Sequence, residues 1–139
     1  MSRLVTAHAT RFTKEGALQL IKFLTENSEK YEADWIAHCE KDILEGNDTK
    51  FGCIITNKGR HAAMYGQLQK TDDGYYDLTY VYDEDPYYSI ENAAEIAKNK
   101  INGILVDFYT EYCRKQLQQY GVVTVVEQEA DKTVLQLYV

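Results

Sequence analysis

Residues 71–95, TDDGYYDLTYVYDEDPYYSIENAAE, constrain this chain more than any other stretch. They hold six of its twelve tyrosines, Tyr75, Tyr76, Tyr80, Tyr82, Tyr87 and Tyr88. They also hold Asp72, Asp73, Asp77, Asp83, Glu84, Asp85, Glu91 and Glu95, and no Lys or Arg. The whole chain has 22 acidic and 15 basic residues, a net charge of −7. Removing these eight acids leaves 14 against 15, so the acidity is local. Asp72-Asp73-Gly74 has the chemistry of a tight turn. From Tyr75 to Tyr82, strand alternation places Tyr76, Leu78, Tyr80 and Tyr82 on one face. Tyr75, Asp77, Thr79, Val81 and Asp83 fall on the other. Pro86, the only proline, closes the strand.

The flanking sequence supplies partners for that strand. Residues 3–12, RLVTAHATRF, alternate loosely and read as a first strand, with Val5, Ala7 and Ala9 on one side. Thr13 is a fitting N-cap, and Phe12 before it can pack on Ala17. Ala17, Leu20, Ile21 and Leu24 then make a helical stripe ending near Asn27. Ser28 can cap a second helix, in which Tyr31, Trp35, Cys39 and Ile43 recur every four residues until Gly46-Asn47-Asp48. Residues 51–56 and 61–69 read as strands around a turn at Asn57-Lys58-Gly59-Arg60. After Pro86, Ser89 or Asp85 caps a long helix to Tyr120, with Ile101, Leu105, Phe108 and Tyr112 on its apolar face. Gly103 in its middle suggests a bend or a close crossing. Residues 122–128 and 133–139 are β-branched strands around Ala130-Asp131-Lys132, forming a C-terminal hairpin.

The predicted order is β-α-α-β-β-β-α-β-β. Short connections make the three central strands an antiparallel meander. The expected fold is therefore α+β: a mostly antiparallel sheet of the meander, the C-terminal hairpin and the N-terminal strand, packed against one long and two shorter helices. At 139 residues the chain fits a single domain spanning 1–139.

Composition narrows the function classes. Net negative charge without clustered Lys/Arg argues against direct nucleic-acid binding and against an anionic membrane. No apolar run approaches a bilayer span, and the start lacks the apolar core of a signal peptide. Cys39, Cys53 and Cys113 are an odd, widely spaced set, which fits a reduced, cytoplasmic protein. His8-Ala9-Thr10 resembles half of the paired His-x-Thr signature of two-histidine phosphoesterases. Catalysis there implies two such pairs, and His38 and His61 are followed by Cys39-Glu40 and Ala62-Ala63, so the second is missing. No metal-ligand spacing, phosphate loop or nucleophile motif occurs, so no cofactor, metal or catalytic residue is expected.

What remains is the tyrosine-acid stretch. Tyrosines give wide contact area at low entropic cost, and carboxylates beside them attract Lys/Arg-rich partners. Asp77, Tyr80, Tyr82, Asp83, Glu84, Asp85, Tyr87 and Tyr88 are accordingly the expected partner-binding residues. By composition the chain is analogous to small acidic inhibitors, in which carboxylates stand where phosphates would and tyrosines where bases would stack. Bacteriophage counter-defence and immunity proteins are the settings for that behaviour. The expected partner is a basic, nucleic-acid-handling protein. The bland alternative half-buries Tyr76, Tyr80 and Tyr82 under the long helix and leaves Asp83–Asp85 as a solvated loop and helix start. Two further readings are a small-ligand binder or enzyme with a pocket between helices and sheet, lined by His8, His61 and tyrosines, and a homo-oligomer whose tyrosine strand or C-terminal hairpin pairs with a second copy.

Overall fold

The computed structural model describes residues 2–119, 121–128 and 133–138. The elements are β1 (Leu4–Phe12), α1 (Lys14–Glu26), α2 (Ser28–Tyr31), α3 (Cys39–Leu44), β2 (Thr49–Asn57), β3 (Arg60–Lys70), β4 (Tyr76–Asp83), α4 (Ala93–Gln118), β5 (Val122–Gln128) and β6 (Thr133–Tyr138). The class is α+β, as the sequence pattern implies. The chain divides into two compact units, Met1–Lys98 and Asn99–Val139, with the boundary inside α4. Among the described residues no helix is long and apolar enough to cross a membrane.

The first unit is built on a four-stranded antiparallel sheet of order β1-β4-β3-β2. The β2–β3–β4 meander is the one expected, and β1 adds to its β4 edge. β2 and β3 are joined by Lys58 and Gly59 alone, both at positive φ, a geometry that matches strand twist. The inner face carries Phe51, Cys53 and Ile55 from β2, Met64 and Leu68 from β3, and Tyr76 and Leu78 from β4, all buried. A Cβ at Gly66 would stand 2.5 Å from the Phe51 ring. Only glycine therefore lets that ring lie across β3. The Tyr76 hydroxyl reaches the carbonyls of Ile43 (3.4 Å) and Asn47 (3.3 Å). That contact ties the end of α3 to the inner face.

α1 starts where Thr13 predicts, its side chain accepting from the Gly16 N–H at 3.0 Å. Its stripe of Ala17, Leu20, Ile21 and Leu24 is buried. The expected helix from Ser28 through Ile43 is instead two short ones. Glu32 (φ 53) and Trp35 (φ 58) are left-handed. Between them Asp34 pairs with Gly52 through two backbone hydrogen bonds of 2.9 and 2.8 Å. The segment leaves the helix to bond the outer edge of β2. Tyr31, Ile36, Cys39 and Ile43 are still buried, but Trp35 is 61% exposed.

α4 begins at Ala93, not Ser89. The Asp85 carbonyl accepts from Tyr88 N and Ser89 N in a turn. A left-handed Asn92 (φ 57) then redirects the chain, and its carbonyl takes the Ile96 N–H at 3.0 Å. Ser89 is no cap: it is buried, and its hydroxyl finds no partner among the described residues.

In the second unit Ile101, Ile104, Leu105 and Phe108 are buried. Tyr112, expected on the same face, is 39% exposed. Among the described residues nothing lies within 4 Å of where a Cβ on Gly103 would stand. β5 and β6 pair as the expected antiparallel hairpin, but as a separate two-stranded sheet. The expected turn at 130–132 and the helix end at Tyr120 lie outside the described residues.

Candidate functional site

The tyrosine-acid stretch divides where β4 ends. Within the strand, alternation turns Tyr80 and Tyr82 to the inner face. They are 7% and 8% exposed, with rings stacked at 6.0 Å. Burial pushes the Tyr80 phenol above its ordinary pKa, with Tyr82 adding to the effect. Asp77 faces outward, directly across from Arg11 of β1. Arg11 Nε donates to its Oδ1 at 2.7 Å and Nη2 to its Oδ2 at 3.4 Å. His8 Nε2 lies 3.7 Å away. The Arg11 hydrogen bond holds the Asp77 carboxyl below its usual pKa and raises that of the guanidinium. Arg11 also reaches Asp73 at 3.8 Å and lies over the Tyr75 ring at 5.7 Å. The charge of Asp77 is thus matched locally.

Beyond the strand, the loop from Asp83 to Asn92 is fixed from two sides. Asp83 Oδ1 accepts from the backbone N–H groups of Arg3 (3.0 Å) and Asp85 (2.9 Å). Glu84 N donates to the Arg3 carbonyl at 2.9 Å, and Glu84 Oε1 lies 3.9 Å from Arg3 Nε. Asp85 Oδ1 accepts from Tyr87 N at 3.0 Å. From the β2–β3 turn, Arg60 Nη1 donates to the Pro86 carbonyl at 3.1 Å. Asn57 Nδ2 donates to the Glu91 carbonyl at 2.8 Å, and Lys58 Nζ meets Glu91 Oε2 at 2.6 Å. That last pair lowers the Glu91 carboxyl and raises the Lys58 ammonium. Ser89 and Ile90 point back into the core.

The loop therefore presents Tyr87 and Tyr88 outward, 79% and 54% exposed. Their rings meet edge to face at 4.9 Å, an arrangement aromatic pairs favour. Of the eight expected residues, Asp83, Glu84, Asp85, Tyr87 and Tyr88 follow one another at the end of β4 and in the loop beyond it, with Glu84, Tyr87 and Tyr88 exposed and Asp83 and Asp85 half-buried. Asp77 sits apart in its ion pair, and Tyr80 and Tyr82 lie in the core. The cations that frame the loop, Arg3, Lys58 and Arg60, were not legible as its neighbours, because each is distant from it in sequence.

The histidines expected in a shared pocket do not converge. His8 is on the outer face of β1 beside Asp77. His61 is the second residue of β3 and shares a 2.7 Å hydrogen bond with Thr56 Oγ1. Among the described residues no group of three His, Cys, Asp or Glu could hold a metal ion. None of the three cysteines forms a disulfide; Cys39 and Cys53 are buried and Cys113 is exposed. Burial raises the Cys39 thiol above its ordinary pKa, the wrong direction for a nucleophile at neutral pH. Comparison of the chain with protein-family models, with curated proteins and with solved structures finds no match.

Proposed function

We propose that the protein is a small non-catalytic binding module that uses the Asp83–Tyr88 loop to occupy a basic, nucleic-acid-handling site on another protein. The supporting observation is the outward Tyr87–Tyr88 pair beside carboxylates already oriented by backbone N–H groups. A loop held in this way loses little freedom on docking, so more of its contact energy appears as affinity. Tyr87 and Tyr88 act as anchors that fill the slots on the partner in which bases would stack. Asp83, Glu84 and Asp85 supply the field that guides a Lys/Arg-rich surface toward them. An inhibitor, an immunity protein or a counter-defence protein of a bacterium or phage, acting in the cytoplasm, would use such a surface.

The test starts from the partner recovered on the immobilised protein from host lysate at low salt and released at high salt. Association kinetics are then measured with the purified partner. The triple variant Asp83→Asn, Glu84→Gln, Asp85→Asn should associate more slowly than the wild type, and nucleic acid should compete for the partner. An on-rate that ignores both the substitutions and salt would defeat the electrostatic reading. Failure of nucleic acid to compete would remove the mimicry while leaving a protein-binding loop.

A further inference from the structure

We infer that the groove between α1 and residues 36–40 is a docking site for a basic amphipathic helix of a partner protein. It shares no residue with the Asp83–Tyr88 loop, so the two surfaces can be tested apart. The groove exists because the second helical run is broken. Glu32 (φ 53) and Trp35 (φ 58) turn the backbone out of the helix, and the Asp34–Gly52 pairing holds it there. The chain returns through Ile36, which is buried, and re-enters a helix at Cys39, packed on α1. Between this returning segment and α1 lies a hollow of about 530 Å³. That volume is within the range for binding sites, about 300–1,000 Å³.

Its base is apolar and its rim acidic. Ile21 and Ile36 line it as buried residues, Leu18 as a half-buried one and Ala37 as an exposed one. Thr25 adds no unsatisfied polar atom, since its hydroxyl donates to the Ile21 carbonyl at 2.8 Å. Glu15 and Glu26 stand near the two ends of α1, and Glu40 on the opposite wall; Lys22 is the lining cation. Glu15 Oε1 accepts from Gln19 Nε2 at 3.0 Å. Among the described residues, none of these three carboxylates is paired with Lys, Arg or His. Asp77, Glu84 and Glu91, by contrast, each meet a cation of their own chain. Three carboxylates against one lysine leave an uncompensated negative rim around an apolar base. The complementary surface carries apolar side chains flanked by Lys or Arg.

The shape of the groove selects a helix. Glu15, Leu18, Lys22 and Glu26 line it at spacings of three and four, which is one face of α1. From Glu15 to Glu26 that face runs roughly 16 Å, about three turns. An occupant therefore lies along α1 instead of entering a pit. The long wall offers no strand edge, because the backbone groups of α1 bond within the helix. An extended segment on the apolar base would bury its own unpaired N–H and C=O groups, which is costly. A helix arrives with those bonds already made and presents apolar side chains at the same three- and four-residue spacing. A contact of this length suits transient association.

The probe is a synthetic Leu/Lys peptide of about 14 residues, roughly 21 Å as a helix, with leucines at i, i+3, i+4 and i+7. A peptide of the same composition with alternating Leu and Lys is the extended control of equal charge. Anisotropy of the labelled peptides is measured against the full chain, with backbone amide NMR shifts recorded in parallel. The helical peptide should bind saturably with Kd below about 1 mM, more tightly than the control, and shift amides of residues 15–26 and 36–40. Glu15→Gln, Glu26→Gln and Glu40→Gln together should weaken it about 5- to 50-fold. Ala37→Arg, which fills the groove with a like charge to the peptide, should weaken it at least about tenfold. All four positions are exposed, so the variants keep the fold. The Asp83→Asn, Glu84→Gln, Asp85→Asn variant should bind the peptide as the wild type does. The inference is overturned by the absence of saturable binding, by equal binding of the alternating peptide, or by binding that both groove variants leave unchanged. Weakening by the Asp83–Asp85 variant alone would also overturn it, and would leave the loop as the docking surface. Self-association of the protein that Ala37→Arg abolishes would assign the groove to a second copy and overturn it as well.

Discussion

Two neighbouring segments of nearly the same composition meet opposite fates. β4 and the loop after it are both rich in tyrosine and acid. The strand tyrosines Tyr76, Tyr80 and Tyr82 are buried, and the loop tyrosines Tyr87 and Tyr88 are exposed. The acids divide less cleanly: Asp77 is matched by an arginine on the adjacent strand, Asp83 and Asp85 are held by backbone N–H groups, and Glu84 lies 3.9 Å from Arg3. An arginine partner cancels the charge of a carboxylate, while a backbone N–H orients the group without cancelling it. Backbone state, more than composition, thus decides which part of the stretch can meet a partner.

The largest expected effect tests the tyrosine half of this contrast. Tyr80→Ala should cost about 3–5 kcal/mol of folding stability, the range for emptying a large aromatic site. Tyr87→Ala should stay within about 0.5 kcal/mol, as exposed substitutions do. Urea unfolding of the two variants measures both. Equal losses would break the contrast and make the loop tyrosines structural.

The parts of the fold legible in the sequence are those specified locally. Thr13 and the Ala17–Leu24 stripe lie within a few residues of each other, and the turns at Lys58-Gly59 and Gly74 carry their own signal. Alternation in β4 correctly grouped Tyr76, Tyr80 and Tyr82 on one face, but could not say which face is covered. Trp35 illustrates what spacing misses. It fits a four-residue period with Tyr31 and Cys39, yet the Asp34–Gly52 pairing overrides helix propensity through a contact made far along the chain. The ion pairs Arg11–Asp77, Lys58–Glu91 and Arg3–Glu84 were illegible for the same reason. Of the candidate surface, the Asp83–Tyr88 cluster was visible as a run.

In binding, the order of the two segments reverses. Against the recovered partner, Tyr87→Ala or Tyr88→Ala should raise the off-rate by an amount equivalent to roughly 1–3 kcal/mol. Surface plasmon resonance separates this from the on-rate. A smaller effect is expected from the triple neutralisation of Asp83, Glu84 and Asp85. It should lower the on-rate several-fold at low salt and much less once screening shortens the field to about 8 Å. Off-rates unmoved by either tyrosine would leave the loop without anchors.

The smallest effect belongs to Asp77 and sharpens the acid half of the contrast. Arg11 holds its carboxyl below the usual value of 3.8. A carboxyl whose pKa is lower folded than unfolded stabilises the fold above its unfolded value. That contribution disappears as pH falls through the folded value. Asp77→Asn has no such proton to take up. The wild type should therefore lose stability more steeply than Asp77→Asn as pH drops below about 4. Near neutrality the two should differ little, because solvent screens an exposed pair. Urea midpoints measured across the acid range for both proteins give the two slopes, and an Asp73→Asn background removes the second carboxylate that Arg11 reaches. A steeper acid limb in the wild type alone identifies Asp77 as an acid held by Arg11 of the same chain. Parallel limbs would mean that Arg11 does not stabilise this carboxylate, and Asp77 would rejoin Asp83, Glu84 and Asp85 as charge available to a partner.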